Sequence, residues 1–380
     1  MSHNHPHTTP GPERPLTFSG EATHGGDVWG AARRLGVPPS QVLDLSASLN
    51  PLGPPPGLRQ ELDAAFDSIC HYPDRQALEL RRALAQRLGV EVINVLPGNG
   101  STALIRLVIR VMDLHPIVVM APAFGEIPRS LALSSRHFHY IFLQEKESFT
   151  PTDHDLQRLW EMEPSCVFIT NPGSPGGACW DLGRLEQLLA QAQRRRCWVV
   201  LDEAFVDFTP GDYAAWSPSK VLEYPRLIVL RSMTKIYCMA GLRLGYLLAH
   251  REAVPTLSML GEPWSVNTLA QRAGVFCLQQ SQYLDETHRR VAAWRDSMVQ
   301  QTSAMGLSVM PSQVNYLLTR LPRSGPTAAE VAAFCAAEGV LLRDCSSFAG
   351  CDEYHLRLAV CRPADQKRLF TVLGQALEQS

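Results

Sequence analysis

Lys235 lies in the stretch SMTKIYCMAGLRLGY, residues 232–246, with Arg243 eight positions further on and only apolar or small residues between the two cations. An amine held in partly dry surroundings loses its proton more easily and can attack a carbonyl, while Ser232 and Arg243 beside it could bind a dianion. Two more groups belong to the same chemistry. Asp202 closes the apolar run of LDEAFVDF, and the turn PGNGST, residues 97–102, precedes the apolar stretch STALIRLVIRVM. Unpaired N–H groups at a helix start suit a phosphate, Gly100 lets it approach, and Ser101 and Thr102 add hydroxyls. Each group also has an ordinary reading: a solvated lysine, a strand-end acid, a hydroxyl cap. Together they provide what pyridoxal 5'-phosphate requires, namely a phosphate cradle, an amine for its aldehyde and a carboxylate facing its pyridine nitrogen.

The elements that must position these groups follow from hydrophobic patterning. Short apolar runs (INVL, PIVVMA, CVFIT, CWVVLDEAF, RLIVL and GYLLA) alternate with amphipathic stretches, the pattern of a mainly parallel sheet flanked by helices. Asp202 and Lys235 then fall at the carboxyl ends of strands, where ligands of such sheets bind. From about residue 268 a long amphipathic stretch precedes NYLLTRL and HLRLAV, which read as strands of a smaller α+β unit. The expected organisation is a flexible tail over residues 1–20, a segment 21–55 packing on the small unit, a large cofactor-binding domain over 56–267 and a small domain over 268–380.

At 380 residues and 45% hydrophobic content the chain can fill a sizeable core. Thirty-five Lys and Arg against 37 Asp and Glu leave a net charge of -2, with no basic excess for nucleic acid, and Arg194–Arg196 reads as a solvated helix end. Ten scattered cysteines include no C-x-x-C pair, so neither a zinc nor a redox site is expected, and the thiols read as reduced and mostly buried. No early run suits a signal peptide and none approaches the ~20 residues of a membrane span. A cytoplasmic protein without metal or membrane contact is the expectation. The His-rich and Pro-rich opening, MSHNHPHTTPGPERP, reads as tail.

With these residues in view, the chain resembles the fold type I pyridoxal-phosphate enzymes. Within them it is similar to the L-threonine-O-3-phosphate decarboxylases of cobalamin synthesis, relatives of the histidinol-phosphate aminotransferases. HGGDVWGAA, LSASLNPLGPP, HYPD, GNGST, DEAFVDF, SMTKIYCMAGLRLGY, PWSVN and LLRDCSSF carry the resemblance by their order and spacing, from about residue 24 to residue 375. It implies an aspartate-aminotransferase-like α/β fold with a large and a small domain. It further implies that Gly100, Ser101, Ser232 and Arg243 bind the cofactor phosphate, with Thr102 beside them. Lys235 would take the aldehyde, Asp202 would face the pyridine nitrogen, and Phe124 would stack on the ring. Tyr72 would reach the phosphate of a neighbouring subunit, which implies a homodimer with shared active sites. Arg357 would grip the substrate carboxylate, and Arg343, with His24, Gly25 and Asn50, the substrate phosphate.

Several positions depart from the family pattern. In NPGSPGG, residues 171–177, Ser174 stands where an asparagine usually donates to the cofactor's phenolic oxygen. Phe205 stands where many aminotransferases have a tyrosine donating to the same oxygen, which should leave that oxygen more basic. Asp27 and Ser48 each replace an asparagine. The resemblance implies decarboxylation of threonine phosphate, a small phosphorylated amino acid, to 1-amino-2-propanol phosphate. Amino transfer from a phosphorylated amine such as histidinol phosphate, decarboxylation of phosphoserine, and cofactor binding without turnover are the alternatives.

Overall fold

The computed structural model describes residues 25–112, 115–209, 211 and 213–378. The expected tail and His24 lie outside them. The described chain opens with the helix Val28–Leu35, whose N-terminus is capped by Asp27, the Oδ1 accepting from Gly30 N at 2.9 Å. Aspartate and asparagine are near-equal caps, so the departure at this position keeps its local function. A two-residue strand follows, β1 (Leu43–Asp44).

Seven strands then form one sheet: β2 (Val95–Asn99), β3 (Ile117–Ala121), β4 (Phe138–Phe142), β5 (Cys166–Thr170), β6 (Trp198–Asp202), β7 (Leu227–Ser232) and β8 (Leu244–Ala249), in the order β2-β8-β7-β6-β5-β3-β4. The pairs from β7 across to β4 are parallel, and β8 is antiparallel to both β7 and β2. Unbroken apolar runs form the inner strands β3 and β5 because both faces are covered. Alternate residues enter two different cores: Val118, Met120, Val167 and Ile169 on one face, Ile117, Val119, Cys166 and Phe168 on the other. The edge strand β4, with sequence FHYIF, had no counterpart among the expected runs; it is half exposed and carries His139 at its second position.

The remaining strands are β9 (Ser308–Val309), β10 (Tyr316–Arg320), β11 (Val340–Leu341), β12 (Arg343–Asp344) and β13 (His355–Ala359). Four of them form an antiparallel sheet, β12-β13-β10-β9, and β11 pairs in parallel with β1. The amphipathic stretch after residue 268 is two helices. Thr268–Leu278 packs against Leu58–Ala65 and Leu78–Leu88 in the large unit, and the 24-residue helix Ser281–Ala304 carries the chain across to the second sheet. The boundary placed at 268 therefore falls at the start of a helix that packs with the first unit. No helix of the described residues is long and apolar enough to cross a membrane.

Candidate active site

Because β2 runs parallel to β7 through the antiparallel β8, the carboxyl ends of β2, β3, β5, β6 and β7 share one edge of the sheet, where β8 begins. In register, Gly98 and Ser232 both face Gly245. A Cβ on Gly245 would lie 2.7 Å from Ser101 N and 2.8 Å from Arg231 O, so only glycine lets the helix Gly100–Val111 start this close to β7. Gly100 itself has φ +72°, and a Cβ there would meet Arg243 Nη2 at 2.6 Å. Arg243 adopts a left-handed backbone, φ 57° and ψ 59°, an uncommon conformation for a non-glycine residue, and it makes no ion pair among the described residues. Ser232 Oγ and Thr234 Oγ1 lie 2.7 Å apart, both buried. Glycine backbone, hydroxyls and a free guanidinium thus converge as a phosphate cradle, which fits pyridoxal phosphate.

These groups line one cavity of about 420 Å³. Its wall also holds Lys235, Asp202, Phe124, Ser174 and Phe205, and on the far side Gly25, Arg343 and Arg357. Asp202 ends β6, its Oδ1 accepting from Ala204 N at 3.1 Å; burial pushes its carboxyl up to about 7. Burial, reinforced by Arg357 and Arg243, pulls the Lys235 amine down to about 8. The Lys235 Nζ lies 5.9 Å from the Phe205 ring centroid, and that ring meets Tyr316 edge-on at 4.9 Å. Beneath the edge, Glu203 and Arg231 form a fully buried pair at 2.8 Å, joined by Ser217, whose Oγ donates to Glu203 at 2.7 Å. That pair fixes the ends of β6 and β7 from which Asp202 and Lys235 project.

On the second sheet Arg343 and Arg357 are cross-strand Cα partners, and both side chains reach the cavity. Arg357 Nη2 donates to Ser46 O at 3.1 Å and its Nε has no partner; Arg343 Nη2 donates to Ser347 Oγ at 3.4 Å. Neither has a carboxylate partner among the described residues. Ser48, 1% exposed, also lines the cavity, with a hydroxyl that has no partner.

One residue expected in this cavity stands elsewhere. The Asn50 side chain does not line the cavity: its Nδ2 donates to Ile236 O at 2.8 Å and to Thr287 Oγ1 at 2.9 Å, so both donors are spent behind the wall. Its neighbour two positions earlier, Ser48, takes the cavity-facing place. Tyr72 is 80% exposed and stacks on Trp264, ring centroids 4.7 Å apart, outside the cavity of its own chain. The sequence reading also passed over three charged wall residues, Arg106, Glu126 and Arg129. Glu126 Oε2 accepts from Arg106 at 2.8 Å, and Oε1 from Arg129 at 3.1 Å. The available signal was spacing, since Arg106 follows Thr102 by four residues and so shares its helix face. Six cations, counting Lys235, thus line the cavity against two acids, Asp202 and Glu126, a balance suited to a strongly anionic ligand.

Comparison with known proteins identifies the family. The model of the family described as aminotransferase class I and II matches residues 40–373. A threonine-phosphate decarboxylase of Salmonella typhimurium is 32% identical over 94% of this chain and 97% of its own. A histidinol-phosphate aminotransferase of Pseudomonas aeruginosa is 29% identical over 91% of this chain and 92% of its own. Among solved structures, the histidinol-phosphate aminotransferase of Sinorhizobium meliloti, in complex with pyridoxal 5'-phosphate, superposes with a TM-score of 0.81 at 20% identity, covering 92% of this chain and 94% of that one.

Proposed function

Since the chain belongs to the aminotransferase class I and II family, with its aspartate-aminotransferase-like fold and its pyridoxal-phosphate chemistry, we propose that it decarboxylates L-threonine O-3-phosphate. The products are carbon dioxide and 1-amino-2-propanol O-2-phosphate, the compound that the resemblance ties to cobalamin synthesis. The observation that carries this reading is the facing of Arg343 and Arg357. Facing residues of an antiparallel pair hold their Cβ atoms about 5 Å apart, and like charges so placed repel unless anions lie between them. A substrate with a carboxylate and a phosphate a few bonds apart satisfies both. The planar guanidinium suits either anion as a two-pronged donor.

In this reading Gly100, Ser101, Thr102, Ser232 and Arg243 hold the cofactor phosphate, Lys235 takes the aldehyde, and Asp202 serves the pyridine nitrogen. Phe124 would stack on the bound ring, and Ser174 and Phe205, which line the same cavity, would pack beside it. Bound there, the cofactor supplies an electron sink for the pair left when a bond to the substrate α-carbon breaks. Arg357 holds the substrate carboxylate and Arg343 the phosphate, so rotation about the α-carbon is fixed with the carboxylate bond presented for cleavage. When the carbon–carbon bond breaks, carbon dioxide leaves without the bonding pair, and Lys235 Nζ, freed by the substrate amine, would return a proton to the α-carbon. Phe205, Tyr316 and Phe348 keep water from the site.

Purified enzyme incubated with phosphothreonine, phosphoserine and histidinol phosphate, with and without a keto acid, tests the reading. Carbon dioxide released from phosphothreonine without a keto acid supports it. Amino transfer without carbon dioxide, in line with the aminotransferase relative, would replace it, and a spectral change with no turnover would make the protein a binder. Phosphoserine lacks one methyl group, and its discrimination is expected to stay within ~1–3 kcal/mol. We also propose a homodimer through the face bearing Tyr72 and Trp264, where Met259, in the same groove as Trp264, is a further exposed apolar side chain. Sedimentation at the mass of a single chain would remove that part.

A further inference from the structure

Lys235 sits in a helix of only four residues, Met233–Ile236. So short a helix does not hold its own shape, and its geometry comes from what grips its ends. Its last carbonyls are gripped from one loop and one helix. Asn50 N donates to Lys235 O at 3.0 Å and Asn50 Nδ2 to Ile236 O at 2.8 Å, while Tyr283 OH reaches the same Ile236 O at 3.2 Å and Gly53 O at 2.6 Å. Asn50 Nδ2 is shared with Thr287 Oγ1 at 2.9 Å, and both Tyr283 and Thr287 belong to the helix Ser281–Ala304. The Asn50 Oδ1 closes its own turn by accepting from Leu52 N at 3.0 Å. Every hydrogen-bonding group of this buried amide side chain is therefore engaged, and none is left for a ligand.

The same loop holds the other reacting end. Ser46 O accepts from Arg357 at 3.1 Å, and Ser48 O and Leu49 O both accept from Asn315 Nδ2, at 3.0 and 3.1 Å. Asn315 directly precedes β10, the strand paired with β13, which carries Arg357. Five residues of chain thus tie the backbone of the lysine to the guanidinium that faces it across the cavity.

We propose that Asn50 is a positioning residue: it registers Lys235 against Arg357 by clamping the four-residue lysine helix to the 46–50 loop and to Thr287. The proposal rests on Lys235 being the cofactor lysine, but not on which reaction follows. The charged groups facing Lys235 are Asp202 from β6, Arg243 at the start of β8, Arg357 from β13 and Asp44 from β1. A lysine released from the clamp changes its distance to all four.

The test uses cofactor-loaded enzyme and three neutral variants, Asn50→Ala, Thr287→Val and Thr287→Ser. For Asn50→Ala, kcat is expected to fall about 100-fold with KM changed by less than about threefold, the signature of misplacement rather than lost substrate binding. The pH midpoint of the visible cofactor band is expected to move with it. Thr287→Val, which keeps shape and loses the hydroxyl, shows a smaller change in the same sense; Thr287→Ser restores native values. Native kcat and titration in both Asn50→Ala and Thr287→Val would overturn the proposal, as would a raised KM with native kcat, which marks direct substrate contact. Should Asn50→Ala not fold, the Val and Ser pair at 287 decides alone. Lys235→Ala serves as the separate control: a native visible band in that variant refutes the assignment of the lysine itself, whatever Asn50 does.

Discussion

Asp202 ends β6 and Lys235 follows β7, the next strand, and burial moves their protons in opposite directions. The carboxyl is raised from its ordinary 3.8 to about 7 by burial, with Glu203 adding to the rise and Ala204 N–H and Lys235 opposing it. The amine is lowered from 10.5 to about 8 by burial, then by Arg357 and Arg243, against Asp44 and Asp202. In cofactor-free protein these shifts set a pH profile of stability. Between about 3.8 and 7 the folded Asp202 holds a proton that the unfolded chain has lost, so its contribution falls as pH rises. Between about 8 and 10.5 the unfolded Lys235 holds a proton that the folded one has lost, so its contribution rises with pH. The two together give a minimum between about 7 and 8. Thermal melts across pH should show Asp202→Asn reducing the acid-side slope, to which the buried Glu203 also contributes, and leaving the alkaline one. An unchanged acid-side slope would contradict the burial argument.

The facing arginines predict a split between stability and binding. Arg343→Gln removes a like charge opposite Arg357 and loses a long bond to Ser347 and a cation–π contact with the Phe348 ring, 5.2 Å from its centroid, so the melting temperature of the unliganded protein is expected to change little. Charge-assisted hydrogen bonds to a substrate phosphate are each worth about 1.5–3 kcal/mol, so kcat/KM for phosphothreonine is expected to fall about 10- to 150-fold. Arg357→Gln also frees Ser46 O, and its melting temperature should drop. Steady-state kinetics and melts on the two variants check both halves.

The chemistry was readable in the sequence where an apolar run ends in a reactive residue. Asp202 and Lys235 each follow such a run, and a parallel sheet collects its carboxyl ends at one edge. The run does not say which strands are neighbours, because a period of two leaves partner and register open. The meeting of Gly98, Gly245 and Ser232 is a product of β8 entering antiparallel, and no local pattern signals it. Ser48 and Asn50, two residues apart, were equally able to face the ligand. What separates them is Asn315, which takes the Ser48 carbonyl, and Thr287, which takes the Asn50 amide, both more than 200 positions away. Beyond its spacing from Thr102, nothing in the local sequence singles out Arg106, because its carboxylate partner, Glu126, sits in a different element.

The buried pair under the site should govern stability and cofactor retention together. Removing one partner of a fully buried ion pair leaves the other charge unpaired, at about 3–5 kcal/mol. Glu203→Ala would leave Arg231 with the Ala214 carbonyl, Ser217 and a distant Asp207 at 3.8 Å. A clear fall in melting temperature is expected, with weaker retention of cofactor during dialysis because Asp202 and Ser232 adjoin the pair. Replacing both partners by apolar residues, Glu203→Leu with Arg231→Met, should recover most of the stability. Failure of the double variant to exceed the single one would show that the pair does more than fill a dry site.

Phe205 provides the last test, because its ring closes the cavity beside Lys235 without offering a donor. The ring is 8% exposed, 5.9 Å from the Lys235 nitrogen, and braced by Tyr316. A phenolic oxygen of a bound cofactor, with no tyrosine at position 205 to donate to it and a serine at position 174 in place of an asparagine, would stay basic, so the Lys235 nitrogen beside it would hold its proton more firmly. The visible band of the loaded enzyme should therefore remain that of the protonated form through neutral pH. Phe205→Tyr adds one donor, and a hydrogen bond worth about 1 kcal/mol to the deprotonated form lowers the midpoint by about 0.7 pH unit. Absorbance titration of wild type and variant measures both values. A wild-type midpoint below neutrality, or a Phe205→Tyr midpoint higher than the wild type's, would mean that donors other than these two residues control the oxygen.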